Sequence, residues 1–306
     1  MKRWWAITLL ISSLVLAGGR SATARDAKGP RMQVVILGTG TPNADPGRSG
    51  PSVAVIVDDT PYIVDFGPGV VRRAAAAHAR GVTGLAVEEL KTAFVTHLHS
   101  DHTAGYADLI LTPWVLERKE PLTVFGPRGI KAMTRHLLKA YEEDIRIRAR
   151  GLQPHTDDGW KVIANEIKPG VVYKQGSLTV TAFKVNHGEW PNAYGYRFET
   201  PERAIVISGD TAPCQTLIDN CKGCDVLVHE VYSSVGFATR PPEWRRYHSS
   251  YHTSAAQLAE IASEAKPRLL VLYHQLFWGT TDEALVQEIR GSYRGEVVSA
   301  RDLDVY

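Results

Sequence analysis

Cysteine is scarce: the 306 residues hold only Cys214, Cys221 and Cys224, all in one short stretch. A zinc ribbon needs a second pair, and a Cys-x-x-Cys redox centre needs a thioredoxin-like setting that is missing. One local disulfide with one thiol left over is therefore expected. No apolar run reaches the roughly 20 residues that span a bilayer, since the longest, from Trp4 to Ala17, covers about 14. Neither sign of charge is in excess, with 35 Lys and Arg against 33 Asp and Glu. There is also no Lys-rich insertion and no long repeat, so general affinity for nucleic acid is not indicated and a nucleic-acid partner is not expected.

The first residues have the marks of a leader. Lys2 and Arg3 precede the apolar stretch, and Gly18-Gly19-Arg20-Ser21 leads to Ala22-Thr23-Ala24, a small-x-small cleavage pattern. The expected plan is a signal peptide over residues 1–24 and a single domain over residues 25–306. The mature protein would then be secreted or periplasmic, with no stable membrane span. No cysteine lies near the cleavage point, which excludes lipoprotein processing. The leader carries Lys2, Arg3 and Arg20 and no acid, so its removal takes the net charge from +2 to −1. The apolar content of 44% is enough for a sizeable core and leaves room for a homodimer.

Strands and helices alternate through the rest of the chain. Gln33–Leu37, Val53–Val57 and Tyr62–Asp65 read as strands, the last two joined as a hairpin through Asp58-Asp59-Thr60-Pro61. Val70–Arg80 is an alanine-rich helix with His78 on its surface, and a helix over Met133–Tyr141 carries His136. Further strands are expected at Leu122–Phe125, Leu178–Val185, Ala193–Phe198, Arg203–Ser208, Val226–Val228 and Leu269–Tyr273. A helix covers Pro213–Asn220. Ser254 and Gln257 form a capping box for a helix over Ala255–Ala265, which Pro267 stops. Ile145–Gly170 is the least regular part and reads as an elaboration near a site mouth, with His155 exposed. This alternation implies an α/β sandwich.

The stretch Thr96-His97-Leu98-His99-Ser100-Asp101-His102 carries the chemistry. It follows the apolar end of a strand, Ala93-Phe94-Val95, and precedes a helix whose dipole favours Asp101 near its start. Extended residues two apart point to one side, so His97 and His99 face a common point. Imidazole nitrogen and carboxylate oxygen are what Zn²⁺ takes when thiolates are absent. Elsewhere His187, Asp210 and His274 also close predicted strands, which is where open α/β sheets collect their sites. Seven such ligands exceed what one tetrahedral zinc accepts, whereas two ions about 3.5–4 Å apart can share a carboxylate and a hydroxide.

His97-Leu98-His99-Ser100-Asp101-His102 matches the His-x-His-x-Asp-His signature of the metallo-β-lactamase superfamily. With Leu109-Ile110-Leu111-Thr112-Pro113-Trp114 after it, the Gly38-Thr39-Gly40 loop and the Asp65-Phe66-Gly67 turn, the chain resembles the ribonuclease Z and arylsulfatase-like branch. The resemblance implies a four-layer αββα sandwich holding two Zn²⁺ per chain. It implies His97, His99 and His187 on one ion, Asp101, His102 and His274 on the other, and Asp210 bridging. It also implies that Asp65 braces the metal loop, although a plain turn aspartate reads equally well there.

The departing group needs a proton. His252 stands where this branch places a histidine before Ser/Thr and a helix, although the chain has His252-Thr253-Ser254 in place of His-Ser-Thr and His248 is a rival. Glu230 is the candidate to orient His252, and Asp101 counts as catalytic as well as ligating. Trp114, Phe237, Trp244 and Trp278 are candidate pocket aromatics, although the core is their commoner place. A metal-dependent hydrolase is expected, and its substrate is expected to be a small ester: a phosphodiester, an aryl sulfate, or a lactone or other carboxylic ester. Ribonuclease Z-like cleavage of RNA is the alternative, because that branch holds RNA with a basic arm not found here. A di-iron redox protein fits less well, since it would place Glu at His99 and use a flavin partner, and a metal-binding protein without turnover also fits less well.

Overall fold

Apolar residues on successive positions of a strand point to opposite faces, so a strand apolar throughout must be covered twice. In β1 (Met32–Gly38), Val34 and Ile36 face one apolar layer while Val35 and Leu37 face another. The computed structural model describes Met1 and residues 32–154 and 158–306. The expected leader and His155 lie outside the described residues.

β1, β2 (Ser52–Val57), β3 (Thr60–Val64), β4 (Thr92–Phe94), β5 (Leu122–Gly126) and β6 (Val162–Glu166) form a six-stranded sheet in that order. It is antiparallel from β1 to β3 and parallel from β3 to β6. Asp58 and Asp59 make the β2–β3 hairpin turn with φ of 47° and 64°, the conformation a two-residue turn of matching twist requires. The second sheet runs β7 (Gly170–Gln175), β8 (Leu178–Lys184), β9 (Tyr194–Glu199), β10 (Ala204–Ile207), β11 (Val226–Tyr232), β12 (Leu269–Leu276) and β13 (Glu296–Ser299). It is antiparallel from β7 to β10 and parallel onward.

The sheets face each other across a layer centred on Phe94, whose ring lies 5.2–5.4 Å from those of Phe125, Tyr196 and Phe198. Helices cover the outer faces. α1 (Val70–Ala79), α2 (Ser100–Thr103), α3 (Tyr106–Val115), α4 (Ile130–Ala140) and α5 (Glu142–Arg150) belong to the first half. Ala74 of α1 and Leu109 and Ile110 of α3 pack on Val35 and Ile63. α6 (Gln215–Cys221), α7 (Ser234–Ala238), α8 (Pro242–Tyr251), α9 (Ala255–Ala265) and α10 (Asp282–Arg290) belong to the second half. There Leu258 and Ala262 of α9 and Leu285 of α10 cover Leu227, Leu270 and Leu272. Each such leucine, isoleucine or valine contributes about 1.5–3 kcal/mol by leaving water. The result is the expected four-layer αββα sandwich.

Local signals place several elements where they were expected. Ser254 and Gln257 close a capping box on α9, and the helix ends at Lys266 with φ 52°, just before Pro267. Cys221 and Cys224 are joined, and Cys214 is free. Two readings need correction. The helix after His102 comes in two pieces, because the chain passes so close at Gly105 that a Cβ there would sit 2.4 Å from the Gly67 carbonyl oxygen. Ile145–Gly170 is not irregular: it holds most of α5, which buries only Ile145 and carries the pairs Arg146–Glu143 and Arg148–Asp144, and it holds β6.

The loop from Gly38 to Pro51 is fixed from the other end of the chain. Asp302 accepts from the Thr39 amide at 2.9 Å, the Thr39 hydroxyl at 2.8 Å and the Ser49 amide at 2.7 Å, and it pairs with Arg73 at 3.4 Å. Asp302→Ala strands buried donors and should lower stability by about 2–4 kcal/mol. A urea midpoint equal to that of the wild type would contradict this.

Candidate metal centre

Every candidate ligand but His274 sits just past the carboxyl end of a strand or on the first turn that follows it. β4 leads into Thr96, His97 and His99, and α2 then carries Asp101 and His102. β8 leads to His187 and β10 to Asp210. His274 lies inside β12, which runs on to Leu276 and so does not end where expected. The register shows why: Glu230 pairs with Tyr273 and Val231 with Gln275, so His274 is an extra residue bulged out of the ladder, with φ 46°. Bulges of this kind re-aim a side chain, and the strained backbone is held by the strands on either side.

The structure brings all seven expected ligands together. His97, His99, His187 and Asp210 form one group able to hold a metal ion, and Asp101, His102 and His274 form another, with each group's ligand atoms within 4.8 Å of one another. Asp210 faces both groups: its Oδ2 lies 3.4 Å from His102 Nε2, 3.5 Å from His274 Nε2 and 4.0 Å from His97 Nε2. Asp101 Oδ2 lies 3.2 Å from His274 Nε2 and 3.5 Å from His102 Nε2. Asp210, His252 and His274 form a third possible group.

Hydrogen bonds behind the rings decide which nitrogen faces inward. His187 Nδ1 donates to the Tyr251 carbonyl at 2.9 Å, and His102 Nδ1 donates to Asp65 Oδ2 at 2.8 Å. The Thr96 hydroxyl gives its proton to Asp65 and so accepts from His97 Nδ1, each at 2.9 Å. These three rings therefore present Nε2 to the centre. His99 is reversed: its Nε2 accepts from Trp190 Nε1 at 2.8 Å, and its Nδ1 lies 3.0 Å from His97 Nε2 and 3.1 Å from His187 Nε2. At Gly188, φ is 51° and a Cβ would strike the Tyr251 ring at 2.1 Å, so only glycine lets Tyr251 back His187 this closely.

Burial tunes these groups toward binding. It pulls the His97 and His187 imidazoles down, His187 to about 3, so both are neutral with a bare nitrogen. Burial acts the same way on His102, but the carboxylates of Asp210, Asp65 and Asp101 outweigh it and raise that ring. Burial would raise Asp210, yet His274 and His102 hold it well below the carboxylate range. His102 Nε2 and Asp210 Oδ1 are buried without a hydrogen-bond partner. Bare nitrogens, an ionised carboxylate and orphaned polar atoms converging on one point are the donor set a divalent ion satisfies. The residues present fit a divalent metal ion.

Asp65 does more than turn the chain. Buried and with φ 60°, it also accepts from the Thr96 amide at 2.7 Å and so holds two ligand-bearing segments at once. Asp65→Ala should weaken metal affinity about 10–100-fold. Competition against a chromophoric chelator measures this, and wild-type affinity in the variant would refute the bracing role.

Glu230 is fully buried at the end of this chain of contacts. Its Oε1 accepts from the Thr253 amide at 2.8 Å and the Thr211 amide at 3.3 Å, while Oε2 lies 3.4 Å from His252 Nδ1. Burial, reinforced by the Asp210 charge, raises the carboxyl well above its usual range. Burial also pushes His252 down to about 4.

A cavity of about 380 Å³ opens onto Asp101, Asp210, His252 and His274. Trp244 and Trp278 line it, whereas Trp114 is in the core and Phe237 stacks on Tyr232 at 4.8 Å. A second cleft of about 810 Å³ reaches His187 from the other side of α8, bounded by Trp190, Arg246 and Tyr251, and Tyr247 borders both spaces. Trp190, Tyr247, Tyr251 and Arg240 are site residues that the residue pattern did not single out.

Residues 60–275 match the model of the Beta-lactamase superfamily domain. The chain is 33% identical over 249 residues to a Ribonuclease Z of Mycolicibacterium gilvum (strain PYR-GCK), spanning 79% of this chain and 84% of that protein. The metallo-beta-lactamase fold protein YhfI from Bacillus subtilis superposes with a TM-score of 0.69 at 18% identity, covering 90% of this chain and 98% of that one. The short form of human tRNase Z superposes with a TM-score of 0.66 at 19% identity, covering 90% and 98%. The ribonuclease relatives overturn the expectation of a small ester, aryl sulfate and lactone included, and with it the expectation that nucleic acid is not a partner. Whole-chain charge is a poor guide here because it does not fix the charge of any one cleft.

Proposed function

Because the chain belongs to the metallo-β-lactamase superfamily, in its ribonuclease Z branch, and is a metal-dependent hydrolase, we propose that it cleaves RNA phosphodiester bonds by water attack. The observation that carries this reading is the similarity to Ribonuclease Z over 79% of the chain, joined to a ligand set that is complete at the sheet ends.

We infer two zinc ions per chain, with His97, His99 and His187 serving one, Asp101, His102 and His274 the other, and Asp210 both. The ions would supply an acidified water and a Lewis-acid grip on the phosphate. The protein's own groups do the rest. Asp65, Thr96 and the Tyr251 carbonyl fix the inward nitrogens of His102, His97 and His187, whereas His99, whose Nε2 accepts from Trp190, must give up that bond to bind through a bare nitrogen. His252, at the wall of the smaller cavity and neutral before substrate binds, takes up a proton as the anionic phosphate enters and gives it to the departing ribose oxygen. Glu230, 3.4 Å from His252 Nδ1, ties the His252 loop to the segment after Asp210 through the Thr253 and Thr211 amides.

A structured RNA with a single-stranded 3′ extension is the test substrate. Cleavage should stop with chelator, return with zinc, leave no 2′,3′-cyclic phosphate, and persist when the nucleotide before the cut is 2′-deoxy. Cyclic phosphate ends, or cleavage undiminished by chelator, would rule the proposal out.

We further propose that residues 1–24 are removed and that the enzyme meets RNA outside the cytoplasm. The Cys221–Cys224 bond suits an oxidising compartment. Intact mass of protein expressed with its leader should begin at Arg25, and a full-length mass would count against export.

A further inference from the structure

The cavity above Asp101, Asp210 and His274 holds a cation without a counter-ion. Arg240 follows α7, and its guanidinium lies 5.6 Å from the Trp278 ring centroid. Its Nε is buried with no hydrogen-bond partner, and no ion pair reaches it among the described residues. Arg48 is the useful contrast. It also sits over a ring, 4.9 Å from the Phe277 centroid, but it donates to Thr39, Gln275 and Asp282 and is spent on structure. A buried donor left unpaired costs stability unless something else satisfies it.

The groups around Arg240 indicate what that is. Trp244 is 47% exposed and its indole stacks with His248, 5.6 Å away and 23° from parallel. Trp278 also lies 4.6 Å from His248 and has φ 47°, a strained conformation for a bulky residue. His248 Nδ1 is buried without a partner. One space of about 380 Å³ thus offers a flat aromatic face, an unpaired planar cation and an unpaired ring nitrogen, and it opens onto the candidate metal ligands. That volume suits one small ligand rather than a duplex.

Taking the RNA reading as premise, we propose that Arg240, Trp244, His248 and Trp278 form a nucleotide subsite beside the bond that is cut. The base stacks on Trp244, and Arg240 binds the phosphate of the same nucleotide. Because every base has a π-face, the subsite tolerates sequence while requiring that the strand be single there.

Calorimetric titration of the metal-loaded full chain tests this with AMP, ribose 5-phosphate and adenosine. AMP should bind roughly tenfold more tightly than ribose 5-phosphate, and W244A should erase that gap while W244F keeps most of it. Trp244 is half exposed, so W244A has no packing reason to unfold. R240A should weaken AMP roughly tenfold and leave adenosine unchanged, with R240K in between because it keeps the charge without the planar fork. Equal binding of AMP and ribose 5-phosphate, or AMP binding unaltered in R240A, overturns the proposal. The two readings fail separately: RNA left uncut with this AMP pattern intact sinks the ribonuclease reading alone, and RNA cut without the pattern sinks only the subsite.

Discussion

Asp210→Ala should lose bound metal and turnover together, with RNA cleavage falling by about 10³-fold or more. Among the described residues Asp210 is the carboxylate that faces both ligand groups, with Oδ2 between 3.4 and 4.0 Å from His102, His274 and His97. Removing it leaves Asp101, which sits with only one of the two groups, as the carboxylate that offsets the charge of bound cations, and the loss should propagate to both positions. Asp210→Asn keeps the shape and one oxygen, so a milder metal loss with most of the turnover gone would locate the effect in the charge. Elemental analysis of the purified variants gives metal per chain, and circular dichroism guards against misfolding. Two ions per chain in a folded Asp210→Ala would refute the bridging role.

How much of this was legible depended on whether a feature is local. The His97–His102 run and the Ser254–Gln257 capping box are each set by neighbours a few residues apart, and both stand where periodicity and residue type placed them. The bulge at His274 depends on register with β11, so a strand ending at His274 was the natural reading of an apolar run closed by a polar residue. α5 was missed for the opposite reason. It has no apolar stripe and is held by charge pairs such as Arg148–Asp144, whose helical spacing is a signal of charge and not of hydrophobicity. Trp190 reaches His99 across 91 positions of sequence, and nothing around it separates it from an ordinary core tryptophan. The expectation of a small ester rested on charge summed over the chain, a quantity that carries no trace of the similarity to Ribonuclease Z.

His252→Ala should keep its metal and slow RNA cleavage about 10²–10⁴-fold, while slowing bis(p-nitrophenyl) phosphate far less. The difference follows from the leaving group. A ribose alkoxide is too basic to depart without a proton, whereas p-nitrophenolate leaves unaided. The structure leaves a rival role open to test, because His252 Nδ1 lies 3.8 Å from Asp210 Oδ2 and the ring belongs to a third possible ligand group with His274. A ligand and a proton donor separate on two readouts: loss of the ligand lowers metal content and slows both substrates alike, while loss of the donor spares metal and discriminates between them. Glu230→Gln supplies the internal control, since an amide oxygen can still accept from Thr253 and Thr211 yet cannot carry the carboxyl's charge or proton toward His252. If Glu230 acts by positioning, this variant should fall between wild type and His252→Ala on RNA and match wild type on the p-nitrophenyl ester. A Glu230→Gln that slows both equally would place Glu230 in the scaffold of the metal centre, with no part in the proton transfer.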